Sequence, residues 1–156
     1  MGVPEFVREL RARVGHQLLW LPGVTAVVID DWGRVLLTRR VDTGRWALPS
    51  GIPEPGEQLA SACAREVLEE TGVGVGVDQL LSVWTQPPIT YPNGDRCQFV
   101  NHTFTAHPTS GTAHVADDES LDVTWRPADA VGDLTDEHRE AVNRARAGGP
   151  VTWFAH

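Results

Sequence analysis

The sequence predicts an α/β fold in which several short strands alternate with two main helices. Segments that alternate apolar and polar residues read as strands, and residues 57–71 and 135–147 carry the start and stop signals of helices. Turns rich in glycine and proline separate these segments. The chain has 156 residues and is 41% hydrophobic, which suits one domain with a real core. We therefore expect a sandwich in which helices cover a sheet.

The first part of the chain is predicted to hold a short amphipathic helix, two strands and an extended segment. Residues 1–20 are predicted to be a helical extension of the main domain, residues 21–156, and to cover the sheet or contribute to a homodimer. In chain order, the short helix, the two strands and the extended segment are residues 6–14, 24–29, 34–39 and 46–48.

The last part of the chain is predicted to be mostly strand, closed by one helix. Residues 86–95 contain three prolines and the pair Asn93-Gly94, so we expect a loop that closes on a tight turn. Thr135 is placed to begin the closing helix, and the Gly-Gly-Pro sequence at 148–150 is placed to end it. The predicted strands are residues 75–84, 96–106 and 121–126, with 151–154 as an apolar piece that packs or forms an edge strand.

Charge and composition exclude several classes of partner. The net charge of −8 and the pI near 5.1 argue against a long nucleic acid, whose binding needs clustered Lys and Arg. No apolar run approaches the ~18 residues of a membrane-spanning helix. Two cysteines give neither a disulfide framework nor a zinc spacing, so we predict a reduced, cytoplasmic setting.

The helix predicted at residues 57–71 has one strongly acidic side. At about 100° per residue, Arg65, Glu66, Glu69 and Glu70 fall within an arc of about 140°. Glu66 and Glu70 repel at the i,i+4 spacing, and the chain has no lysine to relieve them. A solvated acidic face is the simpler interpretation; a divalent metal is the alternative, and a metal held by carboxylates usually handles phosphates. The apolar residues of the opposite arc are Ala60, Cys63, Ala64, Val67 and Leu68.

Residues 51–73 fit the Nudix box, Gly-x5-Glu-x7-Arg-Glu-U-x-Glu-Glu-x-Gly-U with U aliphatic, at every fixed position. The chain therefore resembles the Nudix, or MutT-like, hydrolase family. Residues 35–49 also resemble the strand and approach loop that precede the box in that family, and Ser50 departs from the usual Gly-Gly pair. The matching residues are Gly51, Glu57, Arg65, Glu66, Val67, Glu69, Glu70, Gly72 and Val73.

This resemblance implies a fold, an activity and a cofactor. The expected fold is an α/β/α sandwich with a mixed β-sheet and the box as a loop–helix–loop motif. The expected activity is Mg²⁺-dependent hydrolysis of a phosphoanhydride bond in a nucleoside diphosphate linked to another moiety, with Mn²⁺ as a substitute metal. The small phosphorylated substrate would be a (d)NTP or a nucleoside-diphosphate sugar such as ADP-ribose.

The resemblance also assigns roles to box residues. The Gly51 carbonyl is a backbone contributor to the metal site, and Arg65 is an orienting partner that pairs with Glu57. The metal ligands by resemblance are Glu66, Glu69 and Glu70.

The sequence indicates the catalytic base and the substrate contacts less specifically than it indicates the metal ligands. Glu119 lies in a downstream acidic loop that resembles a loop used by some family members, and an ordinary acidic loop tip is the alternative. Arg39 or Arg40 is a candidate for gripping a phosphate, and Trp46 for stacking on a base, whereas solvated charge and core packing are the simpler interpretations. The candidate bases are Glu66, Glu69 and Glu119.

Two features bear on the substrate and on an alternative function. Prolines 87 and 88 and Tyr91 lie about 14 to 18 residues past the box. In the family, a proline at this distance has been taken to indicate ADP-ribose as the substrate, and a tyrosine to indicate dinucleoside polyphosphates. Because both residue types occur, this cue does not decide the substrate. The alternative function is a non-catalytic Nudix module that senses a nucleotide or binds a protein, although such modules often have an eroded box.

Overall fold

Three helices occur in residues 3–155, which the computed structural model describes, and the sequence predicted all three. The first long helix begins two residues later than expected, because a turn in which Glu57 N–H donates to the Glu54 carbonyl precedes it. It ends at Gly72, whose φ of 70° is left-handed. The helices are α1 (Glu5–Val14), α2 (Leu59–Thr71) and α3 (Asp136–Ala147).

A six-stranded sheet forms the centre of the molecule, and it is mixed, as the family resemblance implied. Its strands are β1 (Leu19–Val28), β4 (Ser50–Gly51), β5 (Val73–Thr85), β6 (Ile89–Thr90), β7 (Arg96–Gly111) and β9 (Trp153–Phe154). The order is β4-β1-β7-β5-β9, with β6 paired to β7. The β1–β7 and β5–β9 pairs are parallel, and the others are antiparallel.

A second, antiparallel sheet positions the acidic loop that precedes its last strand. Its strands are β2 (Arg34–Arg40), β3 (Trp46–Ala47) and β8 (Ser120–Pro127), in the order β3-β2-β8. Arg40 pairs with Ser120, and Val41 N–H donates to the Glu119 carbonyl at 2.8 Å. The end of β2 is therefore next to the 117–119 loop.

The strand β1 is longer than predicted and begins inside the expected N-terminal extension. Pro22 and Gly23 look like a strand break in the sequence, but this stretch pairs with β7 on one side. On the other side, β4 pairs only with Val24 and Thr25 among the described residues. A proline is tolerated where a strand has a partner on one side only.

The apolar side of α2 packs on the sheet, but the buried face is not the predicted arc alone. Cys63 and Val67 lie in the core, and burial raises the pKa of the Cys63 thiol to about 12. Leu68 is 51% exposed, whereas Glu66 and Glu70 are each only 6% exposed. Two carboxylates are therefore buried at the edge of the core. None of the described helices has the length and apolar character needed to cross a membrane.

Candidate metal and phosphate site

Arg65 joins three carboxylates of the box. Its guanidinium donates to both oxygens of Glu57, at 2.8 and 2.9 Å, which is the pair expected from the sequence. The same group donates to Glu66 at 2.9 Å and to Glu69 at 3.0 Å. One positive charge thus serves three carboxylates, which leaves an excess of negative charge on this side of α2.

The protonation of these carboxylates depends on how each one is paired and buried. The bidentate bond to Arg65 lowers the pKa of Glu57, as expected for a carboxylate that accepts charged hydrogen bonds. Burial raises the pKa of Glu66 to about 7, although Arg65 opposes this shift. The Glu66 carboxyl therefore has a pKa near neutral pH, because its burial destabilises the charged form.

Glu70 belongs to a second acidic group. One carboxylate oxygen each from Glu70, Asp117 and Glu119 lies within 4.8 Å of the others. Burial, with Asp117 next in importance, raises the pKa of Glu70 to about 8. Ser50 N–H donates to the same carboxylate at 3.3 Å. The site therefore combines the helix α2, the strand β4 and the loop before β8.

Gly51 is a close contact between β4 and the helix. A Cβ atom at this position would overlap the carboxylate and the Cγ atom of Glu66. The φ of Gly51 is not left-handed, so its backbone conformation does not require a glycine. The glycine is needed because a side chain would prevent this close approach of the backbone. The backbone next to the carbonyl predicted as a ligand is thus packed against Glu66.

The donor set fits a hard divalent cation. All the side chains concerned offer carboxylate oxygens, which Mg²⁺ and Mn²⁺ prefer. Two of these carboxylates are buried with raised pKa values, which is the arrangement that a bound cation relieves. The residues whose carboxylates lie close enough together to hold it are Glu70, Asp117 and Glu119.

The sequence grouped the three box glutamates as one ligand set, whereas the structure distributes them. Glu66 and Glu69 bind Arg65, and Glu70 faces the 117–119 loop. Glu119, a candidate from the sequence, lies in this second group. Asp117 was missed; its only signal was its place in a run of three acids before a strand.

Of the two candidate arginines, the structure brings Arg40 to the site. Its guanidinium donates to Asp42 at 2.9 and 2.7 Å, which raises the Arg40 pKa, and Glu70 and Glu119 add to this shift. Arg39 is exposed and donates to the Gly44 carbonyl at 3.0 Å. Consecutive residues of a strand point to opposite faces, and the register of β2 with β8 also shifts between Arg39 and Arg40.

The aromatic candidate Trp46 is largely used for packing. Arg126 covers its ring at 4.3 Å, and the ring packs against the core beneath α3. Another tryptophan, Trp84, lines a cavity of about 210 Å³ between the mixed sheet and α3. Other residues that line this cavity include Thr25, Asn101, Thr103, His138 and Trp153.

His138 connects this cavity to the approach loop. Its Nδ1 accepts a hydrogen bond from Leu48 N–H at 3.3 Å, three residues before Gly51. Burial lowers the pKa of His138 to about 4, so the ring is neutral at pH 7. No local pattern in the sequence predicts this contact, because it joins residues that are 90 positions apart.

The raised pKa of Glu70 predicts that the metal-free protein loses stability as the pH rises. The folded chain binds a proton at Glu70 up to about pH 8, whereas the ordinary pKa of a glutamate is 4.5. Between these two pH values the folded state holds a proton that the unfolded state has lost. The contribution of Glu70 to the free energy of unfolding is therefore complete below about pH 4.5, and it is lost as the pH rises through about 8. We expect a decrease on the order of a few kcal/mol.

Urea unfolding in EDTA between about pH 5 and 8.5 measures this effect. The Glu70→Gln variant should show a flatter dependence than the wild-type protein, and saturating Mg²⁺ should stabilise the wild type most at the upper end. Equal slopes for the wild type and the variant would contradict the assignment.

Comparison with known proteins agrees with this geometry. The family described as NUDIX domain matches residues 19–145. A MutT-like protein of Streptomyces ambofaciens is 38% identical over 110 residues, which are 70% of this chain and 66% of that protein. A human 8-oxo-dGDP phosphatase is 38% identical over 132 residues, which are 81% of this chain but only 36% of that protein. The solved structure of a NUDIX hydrolase from Nitrosomonas europaea superposes with a TM-score of 0.69 at 25% identity, over 86% of this chain and 93% of that one.

Proposed function

This chain belongs to the NUDIX family, and on that basis we propose that it hydrolyses a phosphoanhydride bond of a nucleotide with Mg²⁺ as the cofactor. The observation that supports this proposal most directly is the meeting of Glu70, from the box, with Asp117 and Glu119, from a loop 47 or more residues away. A merely solvated acidic helix would not bury Glu70 to 6% exposure against two further carboxylates.

Different residues of the site have different roles in the proposed hydrolysis. Phosphoanhydrides repel an attacking water, and a bound Mg²⁺ supplies charge screening and a water of lowered pKa. In this proposal Glu70 and Asp117 hold the cation, and Glu119 lies beside them without binding it. Arg65 fixes the carboxylates of Glu57, Glu66 and Glu69, and Arg40 binds a phosphate oxygen of the substrate.

We assign Glu119 as the general base that takes the proton of the attacking water. Its carboxylate is partly exposed and belongs to the acidic group, and burial, with Asp117 as a further cause, raises its pKa above the ordinary value of a glutamate. Glu66 and Glu69, the alternatives from the sequence, are held by Arg65, which restricts their movement.

Replacement of Glu119 by Gln tests this assignment. A lost base should lower kcat by about 10² to 10⁴-fold and remove the acidic limb of the pH–rate profile, while the Mg²⁺ affinity changes little. The measurement is steady-state kinetics with calorimetric Mg²⁺ titration of the same protein. A variant that loses Mg²⁺ affinity in proportion to its kcat would show Glu119 to be a ligand instead.

A nucleoside di- or triphosphate is the substrate class that we favour over a nucleoside-diphosphate sugar. The cavity beside α3 is lined by Trp84, on which a base could stack, and by Asn101 and Thr103, which offer hydrogen bonds. The human relative is named for 8-oxo-dGDP, and it is 38% identical over 81% of this chain. Purine nucleotides and their 8-oxo forms are therefore the first compounds to test.

The test is a hydrolysis screen with Mg²⁺ over dGTP, 8-oxo-dGTP, 8-oxo-dGDP, ADP-ribose and UDP-sugars. Release of a nucleoside monophosphate should require metal, stop on addition of EDTA and return with Mn²⁺ or Mg²⁺. Tight binding without turnover across the panel would instead support the non-catalytic module. The cytoplasmic location and the homodimer stay predictions, and light scattering at high micromolar concentration tests the second.

A further inference from the structure

We propose that the helix α1 completes the active site, with Arg11 positioning the hairpin of residues 86–96 so that Tyr91 can bind the substrate. This inference rests on the proposed function. It concerns a segment that precedes residues 19–145, the part matched by the family. The sequence predicted a helical extension that covers the sheet or forms a dimer, and assigned it no role at the site.

Arg11 is built into a contact between α1 and the start of β7. Its side chain is only 12% exposed, although it lies on a surface helix. A guanidinium offers five donors in a rigid fork, so it can bind more acceptors at once, in a fixed geometry, than the three donors of a lysine allow. Its partners are the carbonyls of Gly15 at 3.0 Å, Gln17 at 2.5 Å and Arg96 at 2.5 Å, the Cys97 sulfur at 3.2 Å and the Asp95 carboxylate at 3.4 Å.

Asp95 links Arg11 to Tyr91, because it contacts both residues. The Asp95 carboxylate, near Arg11, also lies 2.9 Å from Nδ1 of His16. The backbone of the same residue accepts from Tyr91 N–H at 2.8 Å, and Gly94 N–H donates to the Tyr91 carbonyl at 2.9 Å. The tip of the hairpin is thus fixed on one side by its own turn and on the other by α1.

Apolar packing joins α1 to the same two parts of the site. Val7, 3% exposed, belongs to a core cluster against which Tyr91 and Ile52 also pack. Ile52 follows Gly51, and its carbonyl accepts a long bond of 3.5 Å from Arg65. The helix therefore supports both the hairpin and the loop that begins the box.

The phenol of Tyr91 lies among the charges of the site. Burial is the main cause that raises its pKa; Cys97, Asp42 and Glu119 also raise it, whereas Arg40 lowers it. The side chain is partly exposed. A neutral phenol within the electrostatic range of Arg40 can donate a hydrogen bond to a phosphate oxygen, which a carboxylate at this place would repel.

Kinetics of Arg11→Ala, Tyr91→Phe and the double variant test the proposal. Each single variant should raise KM about tenfold with a smaller change in kcat, since one hydrogen bond to a charged group is lost. The double variant should match Tyr91→Phe, because Arg11 acts through Tyr91. Arg13→Ala, an exposed arginine of the same last turn, is the control and should behave as the wild type. Additive effects, or a KM of Arg11→Ala equal to that of the control, would overturn the proposal.

Hydrogen exchange of residues 86–96 gives a readout that does not need activity. Arg11→Ala should exchange about tenfold faster there than Arg13→Ala, while the amides of α2 keep their protection. Unchanged exchange in the hairpin would overturn the positioning role. If the wild type hydrolysed no compound, the proposed function would fail while the contact between α1 and the hairpin remained measurable. If Arg11→Ala lost protection throughout the chain, Arg11→Lys, which keeps the charge but not the fork, replaces it in both tests.

Discussion

Glu70→Gln is expected to lower kcat by about two orders of magnitude or more. The substitution keeps the size of the side chain but removes the charge that a divalent cation needs, and a metal contributes several kcal/mol to the stabilisation of such a transition state. Glu70 is the box residue that shares the acidic group with the 117–119 loop. The Mg²⁺ affinity should fall with kcat, which calorimetry of the same samples measures.

Two further variants show whether the loss is specific. Asp129→Asn removes a charge from an exposed residue of the loop after β8, and it should leave both kcat and Mg²⁺ affinity unchanged. Glu69→Gln separates two hypotheses. The sequence treats Glu69 as a ligand equal to Glu70, whereas the geometry does not. Because Glu69 binds Arg65 and its side chain is 39% exposed, we expect a smaller loss than for Glu70. Wild-type rates in both glutamate variants would refute the metal assignment.

The elements that the sequence predicted well are those specified by local signals. The helix α3 follows Thr135, whose side chain accepts from His138 N–H, and α2 ends at Gly72 with its left-handed φ. Caps of this kind involve residues three or four apart, so a single sequence displays them. The fixed spacing of the box likewise identified the family and the acidic helix.

The parts that the sequence could not predict depend on long-range pairing. Nothing in the local pattern says that β8 pairs with β2, yet this pairing brings Asp117 to Glu70. The choice of Arg40 over Arg39 has the same origin, since strand alternation separates the two residues but does not say which face is the site. The α1 contact with the 86–96 hairpin joins Arg11 to a residue 85 positions away.

Gly51→Ala is the second change for which we expect a large effect. The added methyl group would overlap the Glu66 carboxylate, which burial and the Arg65 contact at 2.9 Å prevent from moving freely. Overpacking of this kind costs about 1–3 kcal/mol of stability. A displacement of the site by about 1 Å lowers catalysis by about 10²-fold, so kcat should fall well beyond the loss of folded protein.

Gly132→Ala provides the matched control for this experiment. A methyl group added at Gly132 would meet no described atom within 4 Å, and the residue has no left-handed φ, so the same change meets open space there. Kinetics and thermal unfolding of both variants separate the general effect of an added methyl group from the collision at the site. If Gly51→Ala retained the kcat of Gly132→Ala, the backbone of β4 would not need its close approach to Glu66. The Gly51 carbonyl would then lose its support as a contributor to the metal site.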